Sequence, residues 1–152
     1  MKILHVYNHF YPCVGGIERH IEDLCINLIK LGHTSNVCCL NTCGNSKEIL
    51  KPHEKYKGIN IYRIPYKDLK YYKIAPKVLN IIKKYDVIHV HGLGFFPDIL
   101  SSTKRLHKRP LILSTHGGIF HTKKMLFLKR LYFNLWSRHK LRKVDRIIAV
   151  SR

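Results

Sequence analysis

Hydrophobic and polar positions along this chain follow two alternating rhythms, one of strands and one of helices. Lys2 to Tyr7 is a short apolar run of strand length, and the polar, turn-rich stretch Asn8 to Gly16 follows it. From Ile17 the apolar residues fall at Ile17, Ile21, Leu24, Leu28 and Leu31, a spacing that lines one face of a helix. Glu18, Glu22 and Asp23 enrich its first turns, where the helix dipole favours acids, and Gly32 supplies the stop. Thr34–Leu40 reads as the next strand. Residues 41–58 collect Asn, Gly, Ser, Lys and Pro without periodicity and are predicted to be a surface loop. Ile59–Ile64 alternates in the strand manner, 74–84 is predicted helical, and Asp86–His91 is an apolar strand ending in polar residues. A helix over Phe96–Leu106 leads to a strand at Leu111–Thr115. A long helix over Lys123–Arg142 leads to a last strand at Arg146–Val150.

Strands that alternate with helices and are dense in Ile, Val and Leu predict an α/β fold, a Rossmann-like parallel sheet with helices on both faces. With 152 residues and 45% hydrophobic content the chain is expected to form one domain. Ligands in such sheets gather at the carboxyl ends of the strands, which singles out the loops after Tyr7, Val90 and Thr115. No apolar run reaches the roughly 18 to 20 residues that cross a bilayer, so neither a signal peptide nor a membrane span is expected.

Charge alters this picture. The net charge is +19, and residues 101–152 hold fourteen Lys/Arg against the single Asp145. A basic second half implies an anionic partner: nucleic acid, acidic lipid or a phosphate-bearing substrate. The five cysteines, Cys13, Cys25, Cys38, Cys39 and Cys43, are odd in number and lack paired C-x-x-C spacing. Neither a disulfide framework nor a zinc ribbon is therefore expected, and a reducing cytoplasm fits best. A metal site built from Cys38, Cys39, Cys43 and a nearby histidine is the less regular alternative.

Gly15 and Gly16 sit between the first strand and the first helix, where an anion can approach backbone amides and the positive end of the dipole. Neither G-x-G-x-x-G nor the P-loop pattern is present, which lowers both the dinucleotide and the NTPase readings. Ser114-Thr115-His116-Gly117-Gly118 repeats the arrangement after a later strand and places His116 at the ligand edge, able to bond a hydroxyl or phosphate or to move a proton. The bland reading is a strand-end histidine bonded to backbone. His89 and His91 share a face; His89 is expected to be packed and His91 exposed at the strand's end.

Pro12-Cys-Val-Gly-Gly-Ile-Glu-Arg-His20, continuing to Leu24, Leu28 and Leu31-Gly32-His33, resembles the first loop and helix of the GT4 glycosyltransferases. Asp86-Val-Ile-His-Val-His91, Ser114-Thr-His-Gly117 and Asp145-Arg-Ile-Ile-Ala-Val-Ser151 resemble that family's later strands in the same order. The resemblance implies that 1–152 is the N-terminal, acceptor-side Rossmann-like half of a GT-B architecture. The donor-binding C-terminal domain, with its Glu-x7-Glu motif, is absent from the sequence. It further implies a retaining, hexosyltransferase-type transfer from a nucleotide sugar such as a UDP- or GDP-sugar, with no cofactor and no metal. Gly15 and Gly16 would face the donor diphosphate and His116 the transferred sugar. Glu18, Arg19, His20, His91 and Gly117 would border the acceptor cleft.

Large apolar residues and Lys/Arg mix in 123–143, where Lys123, Lys124, Lys129, Arg130 and Trp136 give the composition of helices at anionic membranes. The bland reading is a core helix with a charged outer face. A lipid-linked or glycan acceptor and a cytoplasmic protein peripheral on the inner face of the membrane follow. A noncatalytic subunit, paired with a partner chain that carries the C-terminal GT-B domain, is one alternative. A basic nucleic-acid binder is the other, and no helix-turn-helix, RNP, KH or zinc-finger pattern supports it, so no specific nucleic acid is expected.

Overall fold

The computed structural model describes residues 1–44, 46–69, 72–116 and 126–149. Its centre is β1 (Lys2–Val6), which pairs in parallel with β2 (Thr34–Leu40) on one side and with β7 (Val87–His91) on the other. Outward from β2 lie β4 (Ile59–Ile64), parallel, and the antiparallel edge strand β3 (His53–Tyr56). Outward from β7 lie β8 (Leu111–Ser114) and β9 (Arg146–Ile148), both parallel. The order is β3-β4-β2-β1-β7-β8-β9, the doubly wound arrangement expected from the sequence. A small hairpin, β5 (Lys67–Asp68) with β6 (Lys73–Ile74), stands apart from it.

Alternation along each strand sorts the two faces. Leu4, Val6, Cys38, Leu40, Ile88, Val90, Leu111 and Leu113 point to one side, against α2 (Val78–Ile81) and α3 (Phe95–Ser102). The opposite side carries Val37, Cys39, Ile59 and Ile61 beneath Ile21 and Cys25 of α1 (Gly16–Lys30), with Phe10 closing the end. Helix α1 stops as its glycine dictates: Gly32 takes φ 81°, His33 N–H reaches Leu28 O and Gly32 N–H reaches Ile29 O. Leu31 follows the helical spacing in sequence yet is exposed, because it is the capping residue and lies past the buried stripe.

Several elements depart from the sequence reading. The expected loop 41–58 contains β3, whose His-Glu-Lys-Tyr is too polar to read as a strand. Arg63, buried on β4, holds it in place by pairing with Glu54 at 2.7 Å and donating to Lys51 O at 3.0 Å. The expected helix 74–84 shortens to α2 and a 3-10 turn, Ile82–Lys84. The helix expected over Phe96–Leu106 breaks at Thr103 before α4 (Lys104–His107). The long basic helix is described from Leu126: α5 (Leu126–Tyr132), a π-helical turn (Phe133–Ser137) and α6 (Arg138–Leu141).

The cysteine expectation is corrected in part. Cys13 and Cys43 form a disulfide, with Cα atoms 5.4 Å apart, because parallel pairing of β1 and β2 brings their following loops together. Cys38 and Cys39 face opposite sides of the sheet, so they cannot share a metal with Cys43. Cys25, Cys38 and Cys39 are buried free thiols, and burial pushes the Cys25 and Cys39 thiols up to about 12. Denatured without reductant, the chain purified in air should expose three titratable thiols to a thiol reagent; five would show that the bridge is not formed.

Candidate active-site cleft

The strand order reverses between β1 and β7, so the helices after these strands leave on opposite faces of the sheet. Such a reversal opens a crevice at the carboxyl ends of the strands. The loops after β1 and β7 lead into it, and His116, two residues past β8, meets His91 of β7 and His20 of α1. Gly92 and Gly94 turn the chain after β7 with φ of 73° and 135°, where a side chain would be strained, and Gly92 N–H bonds Ser114 O at 2.7 Å.

A row of imidazoles lies on the α1 face of the sheet below this crevice. His5 pairs in register with His89, so both occupy the same row, and His91 lies two residues further along the same side. His5 Nδ1 lies 3.1 Å from His91 Nε2, and His91 Nδ1 lies 3.0 Å from His116 Nε2. His89 stacks on His91 with centroids 4.2 Å apart and bonds Ser114 Oγ at 2.8 Å. From α1, His20 presents its ring edge-on to His116 at 5.1 Å. The sequence-predicted His20, His91 and His116 thus come together, from a helix, a strand and a loop.

His116 adopts φ 46°, a left-handed conformation that costs a non-glycine residue free energy and that persists only where surrounding contacts hold it. His91 corrects the expectation of an exposed strand end: it is 3% exposed, because His116 and His20 fold over it. Sequence reasoning missed His5, which is fully buried. Its odd-numbered spacing from Ile3 and Tyr7 was visible, but not the register that sets it beside His89.

Gly15 is the N-cap of α1, with extended φ of −167° and so no conformational need for glycine. Glu18 folds back over it: a Cβ on Gly15 would lie 2.3 Å from Glu18 Oε2. A Cβ on Gly16 would meet nothing within 4 Å. Gly16 is exposed with free space on its Cβ side, whereas the Glu18 carboxylate occupies that space at Gly15. Arg19 is exposed and lines a recess with Tyr11, Tyr56 and Lys57. Stacking of Tyr11 on Tyr56 at 3.8 Å and the Cys13–Cys43 bridge fasten this loop. Gly117, Lys123 and Lys124 lie outside the described residues, as do the side chains of Lys129 and Trp136.

Two sets of histidines, His5-His89-His91 and His20-His91-His116, bring one ring nitrogen each within 4.8 Å of one another, close enough to hold a metal ion. The separations at His91 are also those of ordinary N–H···N hydrogen bonds.

Burial, with the neighbouring His89 and His20 adding to it, holds the His5 imidazole down at about 3. Burial and the facing His20 and His116 bring His89 to about 4. His91 lies lower still for the same reasons, and His116 is lowered by burial and by His20. In the unfolded chain these rings titrate near 6.5. As pH falls through that value the unfolded chain takes up protons that the folded chain refuses, so stability falls with pH. We expect the thermal unfolding midpoint to drop steadily between pH 6.5 and 4. His89→Phe should flatten that slope, and a midpoint independent of pH over this range would contradict the burial of neutral rings.

A family model and several known proteins resemble this chain. Residues 14–152 match the model of Glycosyltransferase Family 4. The chain is 34% identical to a GDP-mannose:cellobiosyl-diphosphopolyprenol alpha-mannosyltransferase of Xanthomonas campestris over 99% of its own length and 40% of that protein. It is 34% identical to the Komagataeibacter xylinus protein of the same description, again over 99% of this chain and 39% of the relative. A more distant likeness, 29% over 60% of the chain and 21% of the relative, is to one subunit of the phosphatidylinositol N-acetylglucosaminyltransferase of Arabidopsis thaliana. The chain therefore spans about 40% of the length of the mannosyltransferases it matches. With a family match over nearly its whole length and the doubly wound sheet that the sequence predicted, the chain belongs to Glycosyltransferase Family 4.

Proposed function

We propose that this chain is the N-terminal half of a retaining glycosyltransferase that moves a sugar from a nucleotide-sugar donor to a lipid-linked acceptor. The carrying observation is the His20-His91-His116 cluster at the switch point, with His20 on the helix whose first turn begins at the exposed, uncrowded Gly16. The relatives' descriptions favour GDP-mannose as donor and a glycosylated polyprenol diphosphate as acceptor. In this reading the diphosphate approaches Gly16, and its charge displaces the Glu18 carboxylate from over Gly15. His116 meets an oxygen of the transferred sugar or of the departing phosphate. A second GT-B domain, on the same or a partner chain, supplies the remaining donor contacts, and turnover needs it.

The acceptor end rests on the basic segment. Phe127, Leu131 and Leu135, each four residues on from the last, are 75%, 44% and 67% exposed, with exposed Arg130 and Arg138 beside them. A helix that presents an apolar stripe with flanking arginines suits an anionic lipid surface better than a protein core. Tyr132 on the same segment donates to Asp98, which Tyr72 also bonds at 2.7 Å, and this fastens α5 to α3. Among the described residues no helix is long and apolar enough to cross a membrane. Peripheral attachment to the cytoplasmic face is accordingly the proposed mode, and in a reducing compartment Cys13 and Cys43 would stand as thiols.

Calorimetric titration with GDP, UDP and GDP-mannose tests the donor half of the proposal. Weak binding should be abolished by Gly16→Val, whose added bulk meets only the ligand's space, and weakened about tenfold by His116→Ala, the loss of one hydrogen bond to a charged group. Unaltered binding in both variants would move the donor site elsewhere. For the acceptor half, the chain should cosediment with vesicles containing phosphatidylglycerol and not with neutral ones, and Leu131→Glu should release it; equal sedimentation with both vesicle types would remove the membrane reading.

A further inference from the structure

The three rings His5, His91 and His116 form one unbranched hydrogen-bonded line from the interior of the sheet to the crevice. Each contact joins two imidazole nitrogens and needs one proton, no more and no fewer. Two protons would collide, and none would leave two buried lone pairs opposed. The line therefore has two arrangements as a neutral unit. In the first every ring carries its proton on Nδ1, His5 donates to His91, His91 donates to His116, and His116 carries an N–H on the ring nitrogen away from His91. In the second every ring carries its proton on Nε2, donation runs inward, and His116 shows a bare lone pair.

The inner end decides between them. His5 Nε2 is buried and, among the described residues, has no hydrogen-bond partner. In the second arrangement that atom would be an orphaned N–H; in the first it is an unused lone pair. Orphaned buried N–H groups are rare in folded proteins, which favours the first arrangement.

We infer that His5 and His91 are positioning residues that fix His116 as the Nδ1–H tautomer, so that the crevice meets a hydrogen-bond donor and the ligand atom opposite His116 is an acceptor oxygen. Among the described residues, the other groups around the line leave it undisturbed. His89 stacks on His91 but spends its Nε2 on Ser114, and His20 approaches His116 edge-on. The lowered basicity of His5, His91 and His116 keeps the unit neutral. The same donation from His91 helps to hold His116 in its left-handed backbone conformation.

This fixes the chemical role of His116 more narrowly than the proposed transfer does, on which its biological meaning rests. A ring that offers N–H can stabilise negative charge on a phosphate or sugar oxygen. It cannot, in that tautomer, remove a proton from an acceptor hydroxyl. The role is thus electrostatic stabilisation and orientation rather than general-base chemistry.

Nitrogen NMR of the histidine side chains in the unliganded chain at neutral pH tests the inference without reference to any substrate. Nδ1 of His5, His91 and His116 should each appear as a protonated, pyrrole-type nitrogen, and couplings across the two N–H···N bonds should join the rings in sequence. An unconstrained neutral histidine prefers its proton on Nε2, so the expected pattern opposes the intrinsic bias. His91→Phe should return His116 to the Nε2–H form, while His89→Phe, outside the line, should leave it unchanged. An Nε2–H tautomer at His116 in the unaltered chain overturns the inference, as does an Nδ1–H form that survives His91→Phe. The spectrum of the unaltered chain decides the polarity even where a variant fails to fold. Failure of nucleotide titration with the tautomer as expected would instead count against the proposed function alone.

Discussion

Everything at the cleft depends on parallel pairing of β1 with β2 on one flank and β7 on the other. That pairing fixes the register His5 against Val37 and His89, and it ends three strands at one level. It also reverses the winding, so α1 covers one face while α2 and α3 cover the other. The crevice results from that reversal, and the same side-chain period of two that buries Val37 and Ile61 under α1 puts His5, His89 and His91 beside them. A one-residue slip of β7 would exchange its histidines for Ile88 and Val90 and dismantle both the core and the imidazole row.

Burying His5, His89 and His91 together is tolerable only while these rings stay uncharged. The chain carries +19, so a proton added among these rings would meet both a low dielectric and a cationic surround. The result is a cleft whose floor is neutral and polar beneath a strongly basic exterior. In the proposed reading the wider field would draw an anion toward it, and fixed donors, the amide at Gly16 and the ring of His116, would orient it rather than a mobile lysine.

Much of this was readable from sequence, for physical reasons that differ by element. The central strands announce themselves because both faces are buried, and α1 does so through its stripe and its terminal glycine. The edge strand β3 could not be read, since a polar strand on a sheet's rim is held by one partner, here through Arg63 and Glu54, and not by its own hydrophobicity. His116 and His20 were legible as a strand-end and a helix-start residue. His5 was not, and neither was the Cys13–Cys43 bridge, because both depend on which strands become neighbours. The exposed stripe Phe127-Leu131-Leu135 lies within a segment whose composition allows either a core or a lipid-facing helix, and only the fold shows that these three side chains are exposed.

The central claim is that ligand chemistry sits at the carboxyl edge of the sheet, beside His116 and the loops after β1 and β7. Amide chemical-shift mapping of the chain with GDP-mannose is the most direct measurement of it. The largest shifts are expected at Gly16, Ile17, Gly92 and His116, with the opposite edge at Lys2, Thr34 and Val87 unmoved. Shifts concentrated on that opposite edge, or spread along the basic helix alone, would contradict it.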